Sequence, residues 1–454
     1  MENENATTPF EMRLSEVPSM PQPELELSYA TCIPSNGGTF TANQEVRIPI
    51  NIPQNCFADL KRAYLKYTLK NTSGVKLYLD PVIGGATVID NWRVVGGTGA
   101  LLEEVIHYNN YYAMLKTNDN GRVRDTLGNL MEGASTDSAQ KSLSATGIAE
   151  AVLVLSGQTS IANGGERTIT HRPASSIFNA DRYMPLGYTQ GTTYISITLS
   201  ANATAMIAAS DVDGAGYSCS NWELHVPILK PGPEFSAMFR SAMGSGVPIQ
   251  IHSVGVQNTQ QSITSGAAGS ETLTFSTRKR SVKSLITVIR SNASLTANKA
   301  TSVSGFINAG ISLYNYSVGG VRIPAQQVAC STTDTGELIA NTQLALGYYS
   351  SDLRGVNCLE SRHLIKPVIN YYRSASDEKT PNNECSKCVF ALDLESYSAS
   401  YAGRNLAGQG LPLVLHCQTG AGANTDTASL CDCYVIHDTM FMLDGATGVI
   451  QANS

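Results

Sequence analysis

The chain is expected to be an all-β protein built as two antiparallel sandwiches in series, and three observations lead there. First, Val46, Ile48, Ile50 and Ile52 alternate with Arg47, Pro49, Asn51 and Pro53, and similar period-two runs recur along the chain. A period of two is the spacing of a strand with one buried face. Second, each half runs through a strand pair, a Gly-Gly strand end, a helical insert and late strands, so one architecture is used twice. Third, 454 residues is long for one core, and two domains of roughly 200 residues each are expected. With few βαβ units in the pattern, antiparallel sandwiches are favoured over a doubly wound sheet.

Composition agrees. Charged residues are 15% of the chain, below the usual ~25%, while Thr, Ser, Val, Ile and Tyr abound. Such a surface is buried or covered by other protein. Lys and Arg total 31 against 37 Asp and Glu, a net charge of −6, and this balance does not suggest a nucleic-acid binder. Residues 1–27 carry Glu and Pro with no apolar run, so no signal peptide is expected. No stretch approaches the ~20 apolar residues of a membrane span. A soluble chain from a reducing compartment is the expectation, and its ten Cys are then mostly small buried hydrophobes.

In chain order, residues 1–30 form an acidic arm, with six Glu against Arg13 and breaks at Pro9, Pro18, Pro21 and Pro23. The strand at 46–52 carries Pro49, with Pro53 just after it, and belongs at a sheet edge, because Pro cannot donate to a ladder. Leu65, Tyr67 and Leu69 form another half-buried strand. Residues 89–95 read as a strand ending at Gly96-Gly97, followed directly by a helix with Glu103 and Glu104 in its first turn and Lys116 in its last. A second short helix is expected over 122–132, with Val123, Leu127 and Leu130 on its face, and then a long surface loop region over 133–175 with weak strands such as 151–155. Alternation returns at Ile195, Ile197 and Leu199, and at Trp222, Leu224, Val226 and Ile228. Pro231-Gly232-Pro233 ends this system and opens an amphipathic helix over 234–243, Pro233 suiting a first helical turn. The domain boundary falls here: first domain 31–232, linker helix 233–246, second domain 247–454. The second half has strands within 273–289 and 305–323, a helix over 337–353, and strands at Phe390–Leu394, Leu411–Leu415 and Cys433–Leu443.

The search for chemistry mostly returns structure. Gly97-Thr98-Gly99 begins like a dinucleotide fingerprint, but Leu102 stands where a small residue must let helix and strand pack. A tight turn is the better reading. The metal candidate is Cys385 and Cys388 at zinc-knuckle spacing, with Cys431, Cys433 and His437; the second pair departs from the spacing, so a disulfide or burial competes with zinc. The basic run Arg278, Lys279, Arg280, Lys283 and Arg290 lacks aromatics and reads as a solvated or subunit-facing edge. No acid, base and nucleophile set emerges, so no catalytic residue and no cofactor are assigned.

Several segments together resemble the double jelly-roll major capsid proteins of tailless icosahedral DNA viruses, in the polinton-like and virophage-related branch. They are Val46–Pro49 leading to Leu65–Lys70, Ile89–Val94 with Gly97-Thr98-Gly99 and Tyr108-Asn109, Tyr314–Pro324, Asp393–Ser396, and Asp444-Gly445 with Gly448-Val449. The resemblance implies two tandem antiparallel eight-stranded jelly rolls with short helical inserts. It also implies a homotrimer of pseudo-sixfold outline that packs against neighbouring capsomers, penton and minor capsid proteins in a shell around DNA. No sequence-specific nucleic-acid binding is implied, an internal membrane stays open, and the place of assembly is inside the host cell. The other reading is a two-domain β-sandwich that holds glycans as an attachment protein; its weakness is that Trp92 and Trp222 lie in strand patterns. An enzyme on the same sandwich comes third.

Overall fold

The computed structural model describes residues 25–80, 82–117, 127–134, 160–208, 216–246, 248–263, 269–291, 303–330, 334–347, 388–396, 402–408, 412–419 and 429–453. Among the described residues, eight principal strands form each half. In the first they are β1 (Leu25–Cys32), β2 (Glu45–Pro49), β3 (Tyr64–Asn71), β4 (Ile89–Val95), β5 (Leu101–Val105), β6 (Glu166–His171), β7 (Tyr194–Leu199) and β8 (Tyr217–Pro231). The second has β9 (Ile249–Ile263), β10 (Gly269–Phe275), β11 (Val282–Ser291), β12 (Ile311–Val318), β13 (Val321–Ala329), β14 (Val389–Asp393), β15 (Leu413–Thr419) and β16 (Ser429–Leu443).

Their order in the sheets decides the architecture. The first half has β1-β8-β3-β6 and β2-β7-β4-β5; the second has β9-β16-β11-β14 and β10-β15-β12-β13. The second pair of orders is the first displaced by eight strands. Within each half the first strand lies beside the last, the second beside the seventh, and all neighbours are antiparallel. This is the strand order of a jelly roll, a double sheet with a closed Greek-key path. The short strands Thr39–Thr41 and Phe57–Ala58 add to β8, and Ile450–Asn453 adds to β16.

Local sequence explains most strands. In β3, Leu65, Tyr67 and Leu69 are fully buried while the residues between are half-exposed. β2 lies at the edge of its sheet, where Pro49 costs no ladder bond. Helix α1 covers Tyr108–Thr117 and α2 covers Pro233–Gly244, with Pro233 in its first turn. Helix α3 spans Gly336–Ala345 and overlaps the expected helix of 337–353, of which 348–353 lie outside the described residues. Among the described residues no helix is long and apolar enough to cross a membrane.

Four expectations need correction. Leu101–Val105 is a strand, not the start of a helix: Gly99 takes φ +86° and the Gly96 N–H bonds the Ala100 carbonyl, so the chain turns back antiparallel on β4. Glu103 is buried, accepting from the Ser176 N–H at 2.7 Å and from the Ser175 hydroxyl, so it never caps a helix. The stretch 133–175 contains β6, whose inward residues are Ile169 and His171; the expected strand at 151–155 lies outside the described residues. Of the expected helix over 122–132, residues 127–132 are helical and 122–126 lie outside the described residues, but its face is not the expected one. There Leu127 and Leu130 face outward and Glu132 faces inward to His171.

The two halves share a core. One hydrophobic cluster fills the first jelly roll and continues through Ile251, Ile286, Val288, Val389 and Tyr434 of the second. The other lies between the sheets of the second half and takes the alternate residues Leu285, Ile289, Phe390, Leu392 and Val435. Sheet β9-β16-β11-β14 is therefore apolar on both faces, one against its own partner sheet and one against the first jelly roll. That is why Val389, Phe390, Ala391 and Leu392 are all buried.

Candidate assembly surfaces

Among the described residues the buried polar groups form structural networks rather than a catalytic set. Tyr108 accepts from the Ala174 N–H at 2.7 Å and donates to His171 Nε2 at 2.8 Å, and His171 Nδ1 donates to Glu132 Oε1 at 2.7 Å. Tyr112 donates to the same carboxylate at 2.9 Å. Every member is buried, so the Tyr–His–Glu chain has no face for a substrate; it pins α1 to β6. Burial pushes the Glu103 and Asp80 carboxyls up, opposed by hydrogen bonds to each. The Asp80 carboxylate also accepts from the Ser304 N–H at 3.1 Å and hydroxyl at 2.9 Å, linking the two halves.

A second link crosses the seam through Arg290. Its Nε and Nη2 reach Asp432 Oδ2 at 2.9 and 2.6 Å, and Gln260 donates to Asp432 Oδ1 at 3.0 Å. With its amide oxygen turned to the guanidinium, Asn110 of α1 accepts from Arg290 Nη1 at 2.8 Å. Arg290 is thus a buried tie between jelly rolls, which corrects its expected place on an exposed basic edge. Its neighbour in sequence Lys283 pairs with Glu395 at 2.6 Å.

Of the metal candidates, Cys388, Cys431 and Cys433 are buried in the second core, and Cys385 lies outside the described residues. Burial pushes the Cys388 and Cys433 thiols up to about 12 and Cys431 well above its usual value. They are protonated packing groups at neutral pH. His437 stands in β16 beside Thr439, away from the pair. Among the described residues no group of three or more His, Cys, Asp or Glu is placed to hold a metal.

The glycine turn also has a packing reason. A Cβ on Gly97 would stand 2.3 Å from the Gln190 carbonyl oxygen, and one on Gly96 would stand 3.3 Å from Ile450. The turn is wedged between the 190–191 loop and the C-terminal strand. Trp92 and Trp222 are 0% and 2% exposed, so neither offers a stacking face to a sugar.

What remains open is surface. Strand β1 is a sheet edge, and Leu27, Tyr29 and Ile33 project from one side of this segment at 47%, 71% and 62% exposure. An edge strand with apolar outward residues is a template for association between chains. Sequence reading missed it, because the acidic Glu26 and the prolines before it placed 25–30 in an arm. The alternation Leu25, Leu27, Tyr29 was the available signal.

No family model matches the chain, and no curated protein matches it by sequence. Solved structures do. PBCV-1 VP54, fitted into a reconstruction of the virophage Sputnik, superposes with a TM-score of 0.57 at 9% identity, over 96% of this chain and 98% of that one. The Sputnik virophage structure gives 0.55 at 10% identity, over 99% and 92%. The Faustovirus major capsid protein gives 0.53 at 8% identity, over 93% and 91%. The fold is a double jelly roll. At such identities the likeness is one of fold, and it agrees with the strand orders derived above.

Proposed function

We propose that this chain is a major capsid protein that forms homotrimers and tiles an icosahedral viral shell around a DNA genome. The observation that carries the reading is the repeated strand order in two halves fused through one core. A molecule with two equivalent lobes gives, as a trimer, six similar lobes about a threefold axis, and such a body tiles a flat hexagonal facet. Closed rotational symmetry of this kind is the common solution for identical subunits. The likeness in fold to the Faustovirus major capsid protein supports the same reading.

In this reading the first jelly roll runs from β1 to residue 232, the second covers 247–454, 233–246 is the linker helix, and the expected 1–30 arm gives way to β1 at Leu25. The partners are neighbouring capsomers, penton proteins at the fivefold vertices and minor capsid proteins. The chain performs no catalysis and uses no cofactor; its place is the virion, assembled inside the host cell. Association draws on apolar, charge-poor contacts such as the β1 edge, since interface cores are depleted in charge. Mass photometry of the purified chain should show a species of three times the 48.3 kDa chain mass, with pseudo-hexagonal outlines by negative-stain microscopy. A strictly monomeric protein at tens of micromolar concentration removes the proposal.

A further inference from the structure

A cavity of about 760 Å³ opens where α2, the 57–62 segment and the 177–185 loop meet the start of β9. Its floor is apolar, formed by Phe57, Leu60, Leu229, Phe235, Phe239 and Ile251. Phe57 meets Phe239 at 5.0 Å between ring centroids and Phe235 at 6.2 Å, so one wall is an aromatic cluster. At the rim stand Lys61, Arg62 and Arg182, against Asp59 and Asp181. Asp59 is held by Arg62 at 2.5 Å. Tyr183, which lines the cavity, is 51% exposed, and Met238 of α2 is 64% exposed. A groove of this size, apolar with a few polar groups at its edge, has the dimensions of a binding site.

The topology says what lies next to it. Leu25, the first residue of β1, pairs with Pro231, and Pro231 is itself part of the groove lining. The chain ahead of Leu25 therefore starts at the groove wall. That segment, residues 1–24, has five Glu against Arg13, and it contains Phe10, Met12 and Leu14 at alternate positions. Alternation puts the three side chains on one face of an extended strand. The residues between Leu14 and Leu25 span up to about 36 Å when extended, ample to return to the groove.

We propose that the groove holds the N-terminal segment of the same chain, with Phe10, Met12 and Leu14 on the aromatic floor and its glutamates toward Lys61 and Arg182. The tether makes the local concentration of the segment of millimolar order, which favours its own chain over a neighbour. This inference stands on the groove and the β1–β8 register and does not rest on the capsid reading. A seated arm also covers apolar surface that a free monomer would otherwise expose.

The test uses the full chain and a fluorescent peptide of residues 1–24. The wild-type groove is filled, so the peptide should bind at least tenfold more weakly to it than to the full-length variant Phe10→Ser/Met12→Ser/Leu14→Ser. Binding to that variant should be lost when Lys61→Glu and Arg182→Glu, both exposed positions, are added. Hydrogen exchange should show segments 57–62 and 177–185 less protected in the serine variant, independently of protein concentration. Equal peptide binding to wild type and variant overturns the proposal, as does peptide binding to neither. Protection that rises with protein concentration also overturns it, because the occupant is then a second copy.

Discussion

Arg290 offers the sharpest test of how the two jelly rolls are joined. Its side chain is 8% exposed and that of Asp432 is 0%, so Arg290→Met leaves a carboxylate buried without its cation. It also removes the contact to Asn110 in the other half. Breaking one partner of a buried pair costs about 3–5 kcal/mol, since the remaining charge keeps its desolvation penalty. An unfolding entropy near 2.1 cal/mol/K per residue, taken over a chain this long, is about 1 kcal/mol/K, so the melting temperature should fall by about 3–5 °C. Lys70→Met is the control: the Lys70–Glu166 pair is 45% and 53% exposed, and such pairs contribute at most about 1 kcal/mol. The double variant Arg290→Met/Asp432→Leu should recover much of the loss by removing the stranded charge. Differential scanning calorimetry distinguishes these. If Arg290→Met melts within a degree of wild type, the seam does not depend on this tie and the argument fails.

Two further outcomes are expected. Burial near Lys279 holds His437 down to about 4, whereas an unfolded histidine titrates near its ordinary ~6.5. The unfolded state therefore gains a proton first on acidification. Stability from this residue is complete above pH 6.5 and falls, by about 3 kcal/mol in all, as the pH drops toward 4; His437→Gln should flatten that decline in urea titrations at pH 7 and pH 4.5. Gly97→Ala forces a methyl against the Gln190 carbonyl and should cost about 1–3 kcal/mol by overpacking. Gly38→Ala, with no atom within 4 Å, should be close to neutral in the same thermal melts, and the opposite order would defeat the packing account.

The fold was legible where one face of a strand meets the core and the other meets water. Leu65, Tyr67 and Leu69 announce their register, and so do Trp222, Leu224 and Val226, because the period of two survives only under that asymmetry. It failed where the environment is symmetric or the partner is distant. Residues 389–392 face two cores, so alternation carries no information about which side is in. Glu103 looked like a helix-capping acid because its real partners, Ser175 and Ser176, lie far along the chain. Arg290 looked like surface for the same reason, its acid and amide partners coming from β16 and α1. The exposed apolar face of β1 was the least legible part. An apolar residue aimed at solvent and one aimed at a core, such as Tyr29 and Tyr67, have the same local pattern.

The sheet β9-β16-β11-β14 has a mechanical consequence. Because its two faces belong to different cores, the lobes have no hinge axis between them, and bending one against the other would shear packed side chains on both sides of a single layer. Protein interiors at crystal-like density resist such shear. The molecule is stiff along the line joining its lobes, and in the proposed shell any curvature or breathing would be absorbed in the gaps between molecules. Neighbouring positions on one strand then affect different regions: enlarging Ile286 strains the junction of the lobes, and enlarging Leu285 strains the interior of the second alone.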